Sequence, residues 1–435
     1  MAALLDCVKA FCLEQGLDKT YWLGYSGGLD SHVLLHLCMR LRRQYPLRLK
    51  AVHVHHGLSR NAQHWVAHCA KVCADLQIEF IQKSVNATAL TGESPENTAR
   101  QRRYEVFADL LQKKDILFTA HQQEDQAETV LLQLLRGAGP KGLSAMPVFK
   151  EFAAGFQARP LLSASRFEIE KYAESHQLVW IEDESNTNKN FTRNFLRHDV
   201  LPLLKQRWPT VSKTLARVAE NCAEAQQVVE TIAVQNLAGC YDKKTKTLAL
   251  KKLRLLDAVS QRQVLRRWLE ELGFPIPSAV KLYQIQHDFF HARSDRSPYM
   301  TWGNVELRRY QDTLYAKQCA LAYNSAQIYH WDLTAPLKIP HVGVVSATMS
   351  ESGGLRSDIT EVSVRFRRGG ERCYFPERYC HQLLKHLLQK WHIPPWERER
   401  LPLVFVSDIL VAIPGLFLDR RYFSTTGREL VFHAS

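Results

Sequence analysis

Several large classes are excluded by what this chain of 435 residues lacks. No apolar run reaches the ~20 residues needed to cross a bilayer. The longest, Pro402 to Leu418, is broken by Asp408 and Pro414 and predicts a pair of core strands instead. Asp6 and Lys9 interrupt the early apolar stretch, so no secretory leader is expected. Ten cysteines are scattered without any CxxC, the nearest pair being Cys69 and Cys73 in a CxxxC spacing on an expected helix. That pattern supports no disulfide framework and predicts buried, reduced thiols in a cytoplasmic protein. A zinc or iron-sulfur site would have to gather its ligands from distant segments. No phosphate loop of the form G-x-x-x-x-G-K followed by Ser or Thr occurs, which argues against a site that hands over a terminal phosphate. Internal repeats are absent too.

Negative charge is also in deficit. Lys and Arg number 57 against 44 Asp and Glu, giving a formal net charge of +13. Such a surplus suits a protein that meets polyanions, without naming one. Hydrophobic residues at 46% and charged residues at 23% are ordinary for a globular chain, and the length allows about three domains.

The first 140 residues alternate strand-like and helix-like patterns: Tyr21 to Tyr25 then Ser31 to Arg43, Leu49 to His55 then His64 to Leu76, Ile78 to Val85 then Asn97 to Leu111, and Ile116 to His121 then Asp125 to Leu135. This predicts an α/β fold, a doubly wound parallel sheet whose strand C-termini line a ligand-binding edge. After Arg159 come an amphipathic helix (Phe167 to His176), a polar turn at Asp183 to Lys189, and a basic helical stretch from Thr192 to Trp208. We expect a catalytic domain over residues 1–210, a mostly helical middle domain over 211–330, and a small α+β C-terminal domain over 350–435. A polar stretch around Ser346 to Asp358 reads as the second linker.

Between the first strand and helix stands Ser26-Gly27-Gly28-Leu29-Asp30-Ser31. Two glycines permit a tight turn, the helix start presents unpaired N–H groups with about half a positive charge, and Ser26 and Ser31 add hydroxyls. This composition suits a pyrophosphate, with Asp30 placed to hold a magnesium ion. A plain glycine turn capped by Asp30 or Ser31 is the simpler reading of the three residues Ser26 to Gly28 alone. Gly24 to Gly28 also matches the G-x-S-x-G elbow of α/β-hydrolases, although there several strands normally precede the serine.

With these residues the chain resembles the N-type ATP pyrophosphatases, the PP-loop enzymes that transfer AMP to a carbonyl oxygen. Within that group it is most similar to the tRNA(Ile)-lysidine synthetases. The likeness runs through His53-Val54-His55-His56-Gly57, Glu96 with Ala99-Arg100 and Arg103-Tyr104, Thr119-Ala120-His121 with Asp125-Gln126 and Glu128-Thr129, Arg136-Gly137, Gly142-Leu143, Trp180 to Asn186, and Arg193-Asn194 with Arg197. It implies ATP and Mg2+ as cofactors. It also implies free lysine and a CAU-anticodon isoleucine tRNA as substrates, with lysine joined to C2 of the wobble cytidine through an adenylated intermediate. Departures are Gln122, where the family often has His, Glu124, where it often has Asp, and Leu383 to His386, where relatives carry a more basic run. Another PP-loop enzyme, of the tRNA 2-thiolation type, is the nearest alternative, but such enzymes usually employ a CxxC pair. A non-catalytic RNA-binding protein would have no need of the glycine loop.

The resemblance assigns roles residue by residue. The loop Ser26, Gly27, Gly28, Leu29, Asp30 and Ser31 would hold the diphosphate, and His53 and His55 would line the adenosine pocket. Asp30 and Arg103 would act in catalysis. Asp125 and Glu128, three apart on one helix face, would hold and then deprotonate lysine, although acidic residues suit a helix start for structural reasons as well. Arg193, Asn194 and Arg197 would guide the anticodon loop. Between Arg365 and Arg400, nine Lys and Arg against four Glu, interleaved with Tyr374, Tyr379, Trp391 and Trp396, suit an RNA surface, with Arg368, Arg372 and Lys385 as candidates. An ordinary solvated basic face with its aromatics in the core would have the same composition. A homodimer is compatible with the sequence, and nothing in it demands one.

Overall fold

The computed structural model describes residues 2–55, 61–86, 95–182, 188–293, 296–375 and 380–434. His56, Gly57, Asp183 to Asn186, Arg378 and Tyr379 lie outside them, as does the side chain of Glu96. The chain divides into two compact units, Met1–Thr231 and Ile232–Ser435.

The first unit opens with α1 (Ala2–Gln15), which the sequence pattern did not announce. Alternation then follows as expected: β1 (Thr20–Gly24), α2 (Leu29–Arg42), β2 (Arg48–His55), α3 (Ala62–Asp75), β3 (Glu79–Ser84), α4 (Pro95–Leu110), β4 (Ile116–Phe118) and α5 (Gln123–Leu135). A single-turn α6 (Pro140–Leu143) leads into the hairpin β5 (Phe149–Phe152) and β6 (Gly155–Ala158). Next are α7 (Arg166–Ser175), α8 (Thr192–Phe195), a π-helical turn Leu196–Val200, α9 (Leu201–Arg207) and the long α10 (Val211–Cys240), within which the two units divide. Among the described residues the sheet order is β3-β2-β1-β4-β6-β5, parallel except for β5.

Burial explains this layering. Tyr21, Leu23, Ile116 and Phe118 point to one face, where Leu29, Val33, Leu34, Leu37 and Leu41 of α2 pack with α1 and α7. Trp22, Val52, Val54 and Leu117 point to the other, against Phe107 and Leu111 of α4 and the residue that follows it. Helix α2 is buried on nearly every side. Each leucine it buries contributes roughly 1.5–3 kcal/mol. β2 and β4 flank β1 on opposite sides, so the loops leaving β1 and β4 diverge at the strand C-termini. That opens the crevice typical of such sheets.

In the second unit, β7 (Tyr241–Asp242), β8 (Thr247–Ala249), α11 (Leu250–Leu253), α12 (Ala258–Glu271), α13 (Ala279–Phe290), β9 (Tyr299–Trp302), β10 (Val305–Tyr310) and β11 (Thr313–Gln318) share a core around Trp268 and Phe289. The helices match expectation. The antiparallel sheet β7-β8-β11-β10-β9 beside them was not foreseen, because strands of two to six residues carry too little periodicity. Beyond it, two antiparallel sheets share the core of Trp331, Val345, Val364, Val411 and Leu430. Pro402 to Leu418 supplies the strands Leu403–Val406 and Ile409–Ile413, as predicted. The stretch from Ser346 to Asp358 is not the expected linker. It begins inside the strand Gly343–Ser350, which pairs along its whole length with Gly427–Ala434, so polar residues on the solvent face of an antiparallel strand had read as a loop.

Candidate active site at the switch point of the parallel sheet

The glycine loop leaves β1 and enters α2 with Gly28 as N-cap, and no side chain caps that helix start. Its first N–H groups therefore remain available to an anion. Gly27 has φ +86°, and a Cβ there would meet Ile181 Cδ1 at 2.8 Å and Cys69 Sγ at 2.9 Å. The Ile181 N–H also donates to the Gly27 carbonyl, so the segment carrying Trp180 and Ile181 forms one wall of the loop. Ser31 Oγ donates to the Gly28 carbonyl at 2.9 Å and lies 3.1 Å from Ser26 Oγ, which accepts from the Gly28 N–H. These hydroxyls stitch the loop together. Among the described residues Ser26 Oγ has no histidine partner, so the hydrolase elbow gains no support.

Asp30 follows, and both of its oxygens accept from Arg166 Nη1, at 3.1 and 3.2 Å. Burial pushes its carboxyl up to about 6 against the pull of Arg166, and the neighbouring charge of Asp125 adds to the rise. Arg166 was missed in the sequence. Ser165 and Glu168 form a capping box at the start of α7, and Arg166 also bonds Glu170 one turn on, so the S-x-x-E spacing was the available signal.

After β4 the chain passes His121 and starts α5. Gln122 is its N-cap, accepting from the Glu124 N–H while its own N–H donates to Asp125 Oδ2 at 3.0 Å. Glu124 accepts from the Arg166 N–H and from Lys205 Nζ, joining the starts of α5 and α7 to α9. The two departures at the start of α5, Gln122 and Glu124, thus each hold structural contacts here. Asp125 and Glu128 do share a face, and Glu128 is fully buried. Arg193 Nε donates to Glu128 Oε2 and Arg197 Nε to Glu128 Oε1, each at 2.6 Å, while both guanidinium groups reach Asp125 Oδ1 at 3.1 and 2.9 Å. The two arginines expected to face RNA are turned inward onto the two carboxylates expected to face lysine. Asn194 donates to the Asn188 carbonyl and braces the turn before α8. Burial alone would raise the Asp125 carboxyl, but Arg193, Arg197 and the Gln122 N–H hold it below the usual range. Burial pushes His121 down to about 3, so its imidazole is neutral.

His53 is buried at the end of β2, and its Nδ1 lies 2.9 Å from the Tyr25 carbonyl. A carbonyl only accepts, so Nδ1 carries the proton and Nε2 is an acceptor; burial keeps the ring neutral. His55 lies half-buried two residues on. Among the described residues no group of His, Cys, Asp and Glu has the arrangement of a metal centre, and the nine cysteines whose side chains are described are unpaired. Arg103 is half-buried on α4, its guanidinium 6.0 Å from the Tyr104 ring, with Arg100 at 5.2 Å.

Residues 8–204 match the PP-loop domain family, 248–315 the TilS substrate binding domain and 362–433 the TilS substrate C-terminal domain. The tRNA(Ile)-lysidine synthase of Coxiella burnetii is 39% identical over 92% of this chain and 89% of its own. The chain belongs to the tRNA(Ile)-lysidine synthase family. The synthase of Legionella pneumophila strain Lens is 38% identical over 94% of both chains. Among solved structures, the U34-tRNA thiolase NcsA from Methanococcus maripaludis superposes with a TM-score of 0.44 at 18% identity, covering 51% of this chain and 78% of that one.

For a lysidine synthase family member, the C-terminal basic run divides by role. Arg365 bonds Asp408 and the Ser407 carbonyl, Arg398 bonds the Ile393 carbonyl, and Arg400 bonds the His341 and Leu321 carbonyls. Arg368 donates to the Ala326 carbonyl. Arg372 and Lys385 are exposed, the latter on helix Leu384–Lys390 whose Leu384, Leu387 and Leu388 are buried. Of the interleaved aromatics, Tyr374 lies beneath Arg421, Trp391 packs in a core, and Trp396 stacks against Arg308 and Lys317. The aromatics among the described residues therefore serve packing, and Arg372, Lys385 and Lys390 are exposed, as is Arg368 with its bond to the Ala326 carbonyl.

Proposed function

We propose that this lysidine synthase family member joins free lysine to C2 of the wobble cytidine in a CAU-anticodon isoleucine tRNA, in two steps at the switch-point crevice. In the first, the cytosine O2 attacks the α-phosphate of ATP and diphosphate departs. In the second, the lysine ε-nitrogen attacks C2 and the oxygen leaves with AMP. The uncapped start of α2 behind a glycine turn carries the reading, because its free N–H groups suit the departing diphosphate.

Asp30 fits a role in holding magnesium. It is a half-buried carboxylate at the phosphate loop, its charge opposed by burial and by Asp125, and phosphate oxygens would complete the set of hard donors. The ion would supply positive charge to the phosphates. Asp125, held ionised, suits anchoring an ammonium better than accepting its proton. His53 Nε2 offers an acceptor to an adenine amino group. Residues 1–210 would form the catalytic domain, with 211–330 docking tRNA and 350–435 contributing Arg372 and Lys385. Unpaired cysteines suit a cytoplasmic setting, and no helix among the described residues is long and apolar enough to cross a membrane.

The test is incubation with ATP, Mg2+, lysine and unmodified tRNA, followed by mass analysis of the nucleosides. AMP and diphosphate should appear only with the tRNA, and lysidine only when lysine is added. AMP release indifferent to tRNA would refute the reading.

A further inference from the structure

On the α4 side of the crevice lies a polar cluster that the reaction above does not use. Gln157 of β6 is completely buried, and Arg159 nearly so. Arg159 Nη2 lies 3.0 Å from Gln157 Oε1, and a guanidinium only donates, which fixes the direction of the amide. Gln157 Nε2 must then donate both its hydrogens, one to Tyr104 Oη at 3.0 Å and one to Thr119 Oγ1 at 3.1 Å. Tyr104 Oη is therefore an acceptor toward Gln157, and its own hydrogen is left to point elsewhere. Among the described residues nothing accepts it.

The surroundings of that hydroxyl are cationic. Arg100 lies over the Tyr104 ring, Lys150 of β5 stands opposite Gln157 in the strand pairing, and Arg159, just past β6, bonds Gln157. None of these three cations has a carboxylate partner among the described residues. Burial pushes both Lys150 and Arg159 down, helped by repulsion from Arg159 and Arg100 at Lys150 and from Arg100 at Arg159. Although burial would raise the Tyr104 phenol, Arg100, Gln157, Arg103 and Arg159 pull it below its ordinary value. Repulsion left uncompensated in a crevice is relieved by a bound anion, and an acidified O–H is a strong donor to one.

We propose that Tyr104, Arg100 and Lys150 form a second phosphate subsite, in which the Tyr104 O–H donates to a phosphate oxygen and Gln157 and Arg159 act as positioning residues. Its location favours a phosphodiester of the RNA strand over ATP. Thr119 Oγ1 lies 3.1 Å from His121 Nδ1, and the charges of Asp125 and Arg159 both act on His121. The subsite thus abuts His121 from the side of β4 and β6, whereas the glycine loop follows β1. A nucleotide reacting between them would present its backbone phosphate here. The identity of the strand rests on the proposed function; the phosphate chemistry does not.

Direct binding tests this on the full chain, by filter binding for the unmodified isoleucine tRNA and equilibrium dialysis for ATP. Tyr104→Phe keeps the ring and removes only the donor, and Lys150→Gln removes a solvent-reachable cation. Each should weaken tRNA binding about tenfold, and Lys150→Gln should reduce the slope of log K against log salt by about one. ATP affinity measured without tRNA should not move. Loss of ATP affinity with tRNA binding intact would keep the subsite and assign it to the nucleotide. Unchanged affinity for both ligands in both variants would overturn the proposal. Gln157→Glu adds a readout that a merely structural role would not give: its carboxylate would capture the Tyr104 hydrogen, so adding Tyr104→Phe should cost no further affinity, and additive losses would count against positioning. Because binding is read without turnover, failure of the subsite stays distinct from failure of wild-type AMP release.

Discussion

A methyl group at Gly27 would lie within 3 Å of both Ile181 and Cys69, on a backbone at φ +86°, whereas at Gly28 it would find Ser26 Oγ at 3.5 Å and no closer neighbour. The two glycines therefore separate by experiment. Gly27→Ala combines left-handed backbone strain with overpacking and should cost about 2–4 kcal/mol, lowering Tm by several degrees in a melt followed by circular dichroism. Gly28→Ala should melt within about 1 kcal/mol of wild type yet bind ATP at least tenfold more weakly in equilibrium dialysis, because the added carbon stands where a phosphate approaches the backbone. If Gly28→Ala binds ATP normally, the loop does not cradle phosphate as described. Sequence alone marked these six residues as a candidate anion site; the different burdens on adjacent glycines needed Ile181, more than 150 positions away.

Helices α5, α8 and the π-helical turn are joined by a network of two carboxylates and two guanidinium groups. Glu128 is completely buried, so losing a partner leaves a charge in low dielectric. Arg193→Ala should destabilise by about 3 kcal/mol in urea unfolding, toward the low end of what breaking a buried pair costs because Arg197 remains. A surface RNA contact would instead change stability by under about 0.5 kcal/mol and weaken tRNA binding alone. At this scale the sequence was informative about elements and less so about partners. The alternation of apolar runs with helices long enough to express their period located β1 to α5 to within a few residues. Asp125 and Glu128 were legible as a pair three residues apart on one helix. Their partners were not, since an arginine 65 positions later reads the same whether it faces phosphate or a buried carboxylate. Gln157 and Arg159 carry no motif for the same reason, and the short strands β7 to β9 lay below what periodicity reveals.

For the folded molecule, acid sensitivity follows from two histidines on α2. Burial, with His68 and His36 nearby, pushes His32 down to about 4, and burial, with His176, Arg40 and Arg43, does the same to His36. Their hydroxyl partners are Tyr25 and Tyr172. The unfolded chain, with histidines near pKa ~6.5, binds more protons than the folded one between the two values, so stability falls as pH drops below ~6.5. Asp30, raised to about 6, works in the opposite direction by taking up a proton in the fold, and only partly offsets two histidines. Tm should therefore decline by several degrees from pH 7 to pH 5, and His36→Gln should flatten that decline in paired thermal melts. A flat wild-type profile would contradict the buried neutral rings.

By itself the sequence determined the alternating sheet, the position of the glycine loop and the family, because backbone geometry and hydrophobic period are written in neighbouring residues. Which charges meet was decided only by the tertiary structure. Arg166 on Asp30, Arg193 and Arg197 on Asp125 and Glu128, and the amide of Gln157 on Tyr104 depend on where the strand ends and the helices of the first unit converge. A charge has no periodicity, and its partner is set by distance in space rather than by position in the chain.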